Sequence, residues 1–188
     1  MDLSYELRVP KERIAVIIGT EGETKKVLER DLGIKLLIDS KEGDITLLGD
    51  DAIQLYTGKE IVRAIARGFN PQIALLLLKT DYAFELIDLA DYSKQANHLQ
   101  RLKGRVIGTA GKSRHIIEEA TESHVSVYGK TIAIISPIEN IMIAKQAVHS
   151  LISGSTHSSV YRWLEKKRRD LKRASVLGTQ LRDDYKDE

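Results

Sequence analysis

The sequence predicts an α+β protein in which one unit, a three-stranded antiparallel sheet with helices on one face, occurs twice. Two observations lead to this prediction. The chain matches itself at an offset of 89 residues, which brings residues 18–22 (IGTEG) onto residues 107–111 (IGTAG). Within each copy, the spacing of apolar residues changes from helical to alternating and back to helical. With 188 residues, of which 42% are hydrophobic, the chain is long enough for two small cores.

Each copy contains the same series of predicted elements. It begins with a strand, at residues 5–9 and 84–89. An apolar run then leads into a G-x-x-G turn, and a helix with apolar pairs at helical spacing follows it. Two short strands come next, joined by turns with Gly43 and Gly129, at residues 35–39 and 44–48, and at 124–128 and 131–135. A longer amphipathic helix closes each copy, at about residues 52–67 and 139–152.

The segment 69–82, which links the two copies, is apolar. A flexible linker would be polar and rich in Gly or Ser, so we expect this one to pack and to fix the relative orientation of the copies. A period near 89 residues is too long for a solenoid, which indicates a duplicated domain. We place the domains at residues 1–78 and 79–156, followed by a basic helix and tail at 157–188.

Composition excludes several classes of function. No run approaches the roughly 18 apolar residues of a membrane span, and the acidic start MDLSYE does not resemble a signal peptide. We therefore expect a cytoplasmic protein with no membrane partner. The absence of cysteine excludes disulfide frameworks, zinc ribbons and thiol nucleophiles. The five histidines lack ligand spacing and no Ser-His-Asp arrangement can be argued, so we predict no metal, no cofactor and no catalytic residue.

The stretch VIGTAGKS, residues 106–113, looks at first like half of a nucleotide-binding loop. A Walker loop requires G-x-x-x-x-G-K-[ST], but the residue five positions before Gly111 is Val106. The two-residue loop between Gly108 and Gly111 is therefore too short to enclose a terminal triphosphate. Its glycines let the backbone approach a ligand closely, and the N–H groups of the next helix carry positive partial charge. This pattern predicts contact with one stretch of a sugar-phosphate backbone.

Two segments, RVIGTAGKSRHIIEEA (residues 105–120) and VIIGTEGETKKVLERDLGIKLLI (residues 16–38), resemble the VIGxxGxxIxxI core of a KH domain. The GxxG loop of such a domain binds about four nucleotides of single-stranded RNA or DNA. The resemblance and the element order imply two tandem type I (eukaryotic-type) KH domains. Further, RLKGRVIG, VSVYGKTIAII and GSTHSSVYRWLEKKRRDLKR resemble the archaeal relatives of the partner-of-Nob and Krr-type proteins, which are KH-domain factors of small-subunit ribosome maturation.

The resemblance implies that RNA binds at the GxxG loops and at the side chains beside them. In the second copy, the predicted RNA-binding residues are Gly108, Thr109, Ala110, Gly111, Lys112, Arg114, Arg105, Ile107, Val125 and Val127. In the first copy they are Gly19, Thr20, Glu21, Gly22 and Lys25. The bases are expected in an apolar groove, lined by Ile107, Ile117, Val125 and Val127 in the second copy and by Ile18, Leu28, Leu36 and Ile38 in the first.

The two loops differ in charge. Residues 99–120 contain five basic and two acidic residues, whereas residues 10–31 contain five of each, and Glu21 lies inside the first loop. We therefore predict that the second copy is the primary RNA clamp and that the first is a weaker reader or a protein-binding surface. Residues 161–173 carry seven basic against two acidic residues. This excess predicts rRNA contact at Arg162, Lys166, Arg168 and Arg169.

The leading interpretation is a non-catalytic RNA-binding assembly factor. The resemblance implies binding near the 3′ end of small-subunit rRNA, cooperation with a Nob-type endonuclease and contact with an initiation factor subunit. The alternative is a general KH protein that binds mRNA or single-stranded DNA, and preference for rRNA 3′-end oligonucleotides would separate the two. A third interpretation is an enzyme that uses the KH units as substrate clamps, which a nuclease assay with added magnesium or manganese would reveal.

Overall fold

The computed structural model describes residues 3–184, with the backbone alone from residue 174 onward. The last four residues of the predicted basic tail, 185–188, and the first two of the predicted first domain lie outside the described residues. The chain has an α+β fold with two three-stranded antiparallel sheets, as predicted. Its helices and strands form two successive units of the same element order.

The first unit contains β1 (Leu3–Arg8), α1 (Lys11–Ile18), α2 (Glu23–Leu32), β2 (Lys35–Asp39), β3 (Asp44–Gly49) and α3 (Ala52–Ala66). The connection to the second unit contains α4 (Pro71–Ala74) and the 3-10 turn Leu75–Leu78. The second unit contains β4 (Tyr82–Asp88), α5 (Ala96–Ile107), α6 (Lys112–Thr121), β5 (His124–Tyr128), β6 (Thr131–Pro137), α7 (Ile138–Ile152) and α8 (His157–Asp184). The predicted elements therefore start and end within about two residues of the observed ones.

The first sheet has the strand order β1-β3-β2, with the middle strand paired to both neighbours. Ile45 and Leu47 of β3 are fully buried on one face, where Leu36 of β2 lies opposite Leu47. This face packs on the helices of the first unit. The other face is open and carries exposed polar side chains such as Glu6 and Arg8. The prediction of helices on one face fits this sheet.

The second sheet, with the order β4-β6-β5, is covered on both faces. Ile132 and Ile134 of β6 belong to the core of the second unit. Ala133 and Ile135 point the other way and belong to the core of the first unit. Because both faces are covered, residues 132–135 of β6 form an uninterrupted apolar run rather than an alternating pattern. The prediction of helices on one face is thus incomplete for this sheet, since the first unit covers its second face.

The segment between the units packs, which confirms the prediction of an ordered connection. Leu77 is buried in the core of the first unit. Two side chains of β5 also make polar contacts with the first unit. The Ser126 hydroxyl donates to the Arg67 carbonyl at 2.8 Å, and the Tyr128 hydroxyl donates to the Glu12 carboxylate. That hydrogen bond raises the pKa of the Tyr128 phenol, because a tyrosinate could not donate it.

This shared core predicts that the two units unfold together. Separating them would expose the apolar face that Ala133 and Ile135 share with the first unit. We expect one thermal transition with equal calorimetric and van't Hoff enthalpies. Differential scanning calorimetry of the full chain measures both. Two resolved transitions would contradict the shared core.

The repeat extends past the third helix of each unit, at an offset of 86 residues. Asn70 and Thr156 occupy equivalent positions as N-cap residues, of α4 and of α8. Four residues further along, Ala74 and Val160 are both buried. The beginning of α8 is therefore the counterpart of α4. Leu164 of α8 is buried in the second core as well, so the first turns of the basic helix are part of the second unit.

Candidate nucleic-acid interface

The two GxxG loops have the same backbone conformation. In each loop the first glycine ends the preceding helix. Its φ and ψ are 77° and 171° at Gly19, and 74° and 175° at Gly108. The Gly108 N–H donates to the Gly104 carbonyl at 2.8 Å, and the Gly111 N–H donates to the Gly108 carbonyl at 3.2 Å. The third loop residue, Ala110, is left-handed with φ of 52°. The loop is a single tight turn that joins two helices and presents its backbone outward.

The two glycines of the second loop are needed for different reasons. A Cβ on Gly108 would lie 2.6 Å from the Cβ of Ser113, so this glycine permits close packing of α5 on α6. A Cβ on Gly111 would meet nothing within 4 Å. Gly111 therefore faces open space, where a ligand backbone can approach it. Sequence alone assigns both glycines to the loop without separating these two roles.

The start of α6 has no side-chain cap. Gly111 is its N-cap, so no side chain competes with an anion for the N–H groups of the first turn, of which that of Lys112 donates to the Thr109 carbonyl. Lys112 is the first residue of the helix, exposed, and within the described part of the chain its ammonium makes no hydrogen bond or ion pair. A cation at a helix N-terminus opposes the helix dipole at a cost of about 0.3–1 kcal/mol. A bound phosphate would offset that cost. The equivalent residue of the first unit is Glu23, whose charge suits the dipole.

The helix after each loop is fastened to an edge strand by a carboxylate. Glu118 Oε1 accepts a hydrogen bond from the Val125 N–H at 2.8 Å, and its other oxygen lies 3.6 Å from Arg114 Nε. In the first unit Glu29 accepts from the Leu36 N–H at 2.9 Å and pairs with Lys25. Sequence reasoning missed Glu29 and Glu118 as site-forming residues. The signal was present, because both occur at the same offset of 89 as the loops.

The apolar residues predicted to line the groove divide into two groups. Ile107 is 36% exposed at the end of α5, and Val127 is half-buried on β5. In contrast, Ile117 and Val125 are buried in the core, and so are Leu28 and Leu36 in the first unit. Only the first group, Ile107 and Val127, can touch a base without rearrangement of the sheet. Ile18 and Ile38 of the first unit are half-buried.

Arg105, a predicted RNA contact, links α5 to the end of α7. Its guanidinium donates to the Leu151 carbonyl at 2.7 Å and to the Ser155 carbonyl at 2.5 Å, at the C-terminal end of α7. Arg13 does the same in the first unit, where it binds the carbonyls of Ile65 and Phe69. Both arginines supply a positive charge and further N–H donors to the C-terminal end of a helix, where the helix dipole is negative.

We expect Arg105→Lys to lower the free energy of unfolding by about 2 kcal/mol, because an ammonium cannot reach both carbonyls in the geometry of a guanidinium. Chemical denaturation monitored by circular dichroism measures this change. Arg101→Lys, four residues earlier on α5, is the matched control, since Arg101 is exposed and makes no hydrogen bond or ion pair with a residue whose side chain is described. We expect it to change stability by less than about 0.5 kcal/mol. Equal effects of the two substitutions would contradict the helix-end role.

The first loop has a less favourable charge for a polyanion. Glu21 is exposed with φ of 53°, and Thr20, beside it, is exposed as well. A shallow depression beside this loop, lined by Thr20, Glu21, Glu23 and Lys26, mixes acidic and basic side chains. A Cβ on Gly22 would meet only the Lys26 Cε, at 3.8 Å, so this glycine faces nearly open space as Gly111 does. The first loop therefore shares the shape of the second without its charge.

The basic helix α8 packs on α6 and α7, next to the second loop. Arg168 is 3.4 Å from Glu119 of α6. Arg162, Lys166 and Arg169 are exposed and lie at positions i, i+4 and i+7, on one side of the helix. None of these three makes a hydrogen bond or ion pair with any residue whose side chain is described.

Two further features bear on function. Across residues 3–173, no group of three His, Asp or Glu side chains could hold a metal ion. Among the helices that the structure describes, none combines the length and the apolar character needed to cross a bilayer.

Comparison with known families and proteins agrees with this geometry. Residues 83–169 match the family model for the second KH domain of PNO1 proteins, described as a eukaryotic type KH-domain (KH-domain type I). A KH domain-containing protein of Methanocaldococcus jannaschii is 47% identical over 178 residues, which cover 92% of this chain and 78% of that protein. The pre-rRNA-processing protein pno1 of Schizosaccharomyces pombe is 30% identical, covering 81% of this chain and 66% of its own length. The chain spans 44% to 66% of the eukaryotic relatives.

Solved structures extend the similarity to the whole fold. A protein of unknown function from Aeropyrum pernix superposes with a TM-score of 0.90 at 35% identity, covering 97% of this chain and 99% of that one. A chain in the crystal structure of an a/eIF2alpha-aDim2p-rRNA complex from Pyrococcus horikoshii OT3 has a TM-score of 0.83 at 42% identity, covering 90% of this chain and 96% of its own.

Proposed function

The chain belongs to the PNO1 family of KH-domain proteins, and from this membership we propose that it is a non-catalytic RNA-binding factor of ribosome biogenesis. Its ligand in this proposal is single-stranded small-subunit rRNA or pre-rRNA near the 3′ end. The observation that carries the proposal is the second GxxG loop, with an outward glycine, an uncapped helix start and the exposed cation of Lys112. These features suit a phosphate of a polynucleotide.

The proposed contact set of the second unit is the part of the predicted set that is exposed or half-buried and is not engaged with a helix end. It comprises the loop Gly108–Gly111, Lys112, Arg114, Ile107 and Val127, extended along α8 by Arg162, Lys166, Arg168 and Arg169. We leave out Val125, which is buried, and Arg105, which holds the end of α7. Because α8 packs along α6, with Arg168 3.4 Å from Glu119, its cations would extend the basic surface of the loop along α6.

We propose that the first unit, residues 1–78, is also a type I KH domain, followed by a second one at residues 79–156 and the basic helix and tail at 157–188. Its sheet order, loop conformation and carboxylate link to the edge strand repeat those of the second unit. Gly19, Thr20, Glu21, Gly22 and Lys25 would form its ligand-binding loop. Glu21 and Glu23 make it a weaker reader of RNA or a surface for a protein.

The partners follow from the relatives. The P. horikoshii complex contains rRNA and a/eIF2alpha beside a chain of this fold, so we propose an initiation factor subunit as a protein partner of this chain as well. A Nob-type endonuclease would supply the cut that the relatives' name, pre-rRNA-processing protein, implies. We propose a cytoplasmic location with ribosomal subunits.

Fluorescence anisotropy with labelled oligoribonucleotides tests this function. We expect RNA from the 3′ end of small-subunit rRNA to bind more tightly than shuffled RNA of the same composition. Each phosphate contact should add roughly 0.7 to the slope of log affinity against log salt. About four contacts from the loop and α8 therefore predict a slope of about 3. Equal affinity for shuffled RNA would favour a general KH protein, and magnesium-dependent cleavage of the RNA would contradict the non-catalytic assignment.

A further inference from the structure

A cleft of about 920 Å³ lies beside the GxxG loop of the second unit. Its walls are α5, the loop itself, the end of α7 and the first turn of α8. It differs from the groove proposed for the bases, because none of its described lining residues belongs to β5. The two spaces share only the loop, at Gly108 and Thr109. A strand held by this loop can therefore continue into the cleft.

The cleft attracts anions. Its described lining residues include two arginines, one lysine and two histidines, and no carboxylate. Arg105 is engaged with the carbonyls at the end of α7, which neutralises the negative end of that helix dipole. Arg101 and Lys112 are exposed and pair with no side chain that the structure describes. Both cations are available to phosphates that enter the cleft.

An aromatic ring also lines the cleft, on the part contributed by α8. Tyr161 is half-buried, and its ring contacts the ring of His157 edge-on, with centroids 6.0 Å apart. His157 is itself fixed, because its Nε2 donates to the Arg105 carbonyl at 2.8 Å. Tyr161 thus packs on a side chain that is itself held by a hydrogen bond. Aromatic side chains held in this way are platforms on which unpaired bases stack.

The first unit provides an internal comparison. The space beside its loop has a volume of about 480 Å³ and is lined by the segment 70–75, which is the counterpart of the beginning of α8. There Glu23 stands in place of Lys112, Pro71 in place of His157 and Leu75 in place of Tyr161. No cation or aromatic side chain is among the described residues that line it. The charge and the ring therefore belong to the second unit, not to the shared fold.

We propose that this cleft is a second nucleotide site, which receives the unpaired nucleotide next to the stretch held by the second GxxG loop. Arg101 binds its phosphate, next to the phosphate that Lys112 and the loop hold, and the Tyr161 ring stacks on its base. The inference rests on the proposed function, since it requires RNA on the loop. The cleft volume of about 920 Å³ is ample for one nucleotide. α8 thereby lengthens the RNA surface beyond the roughly four nucleotides that a KH domain holds.

Isothermal titration calorimetry with nested RNAs tests the site on the full chain. The short probe is the segment of about four nucleotides from the 3′ end of small-subunit rRNA that binds the chain most tightly. Two longer probes, of about seven nucleotides each, extend this segment at its 5′ end or at its 3′ end. We expect only one extension to increase affinity, by about tenfold. Tyr161→Ala should abolish this gain and leave the affinity for the short RNA unchanged. Tyr161→Phe should retain the gain.

Arg101→Ala should reduce the same gain, whereas Lys94→Ala, which removes an exposed cation outside the cleft, should not. The proposal is overturned if Tyr161→Ala weakens short and extended RNAs equally, or neither. It is also overturned if free adenosine or uridine monophosphate binds the chain with the same affinity as the extended RNA. If neither short nor extended RNA binds the unmodified chain, the proposed function itself fails. A separate measurement distinguishes failure of the cleft proposal from failure of the loop proposal. If the double variant Thr109→Asp with Ala110→Asp no longer binds the short RNA, the loop binds RNA whether or not the cleft does.

Discussion

Replacing Thr109 and Ala110 together with aspartate is expected to lower the affinity for single-stranded RNA by on the order of 100-fold, or about 2.7 kcal/mol. Both side chains are exposed on the loop, where a ligand phosphate would approach Gly111. Two carboxylates there would repel the phosphate and compete for the N–H groups that start α6. Anisotropy titration at fixed salt measures the loss. The fold should be kept, since aspartate tolerates the left-handed conformation of Ala110 better than most residues do.

Thr20→Asp in the first loop is the matched control. Thr20 corresponds to Thr109 and is exposed in the same conformation, but its neighbour Glu21 is already acidic. We therefore expect Thr20→Asp to lower affinity by less than about threefold. If it lowers affinity as much as the double substitution, the two units share RNA binding equally. If the double substitution has no effect, the second loop is not the clamp. If the first loop also binds RNA, Glu21→Lys should raise the affinity of the chain for RNA.

The fold was predictable because the duplication supplied two independent examples of each element. A GxxG turn at the same offset of 89, followed by the same alternation at Leu36 and Val125, fixed the order of helices and strands. The edge strands β2 and β5 were predicted with the observed bounds. What the repeat could not show is how the copies pack. Whether a sheet keeps one open face depends on contacts between the core of the first unit and β6, which no local pattern encodes.

The candidate site was predictable where it is local and unpredictable where it is not. The loop and Lys112 are contiguous, so the sequence brings them together. Val125 alternates like a groove residue, but alternation is common to core and groove, and burial decides between them. Arg105 looked like one more cation beside the loop, yet its partners are 46 and 50 residues away. The cleft with Tyr161 likewise exists only because α8 returns to α5.

The glycines give the sharpest test of the link between packing and function. We expect Gly108→Ala to lower the free energy of unfolding by about 4 kcal/mol. Its φ of 74° and ψ of 175° lie in a region that is open essentially to glycine alone. In addition, the new Cβ would lie 2.6 Å from the Ser113 Cβ and 2.7 Å from the Ser113 backbone nitrogen. Neither atom is the end of a flexible side chain, so α5 and α6 would have to separate.

Gly111→Ala separates the two roles, since a Cβ at this position meets nothing within 4 Å. Its only structural cost is the left-handed backbone with φ of 77°, about 1 kcal/mol. The free energy of RNA binding should change by more than the free energy of unfolding, because the methyl group occupies the surface that the ligand backbone would approach. Denaturation and anisotropy on both variants measure the two quantities. If Gly111→Ala binds RNA as the unmodified chain does, close approach at this glycine is not how the strand is held.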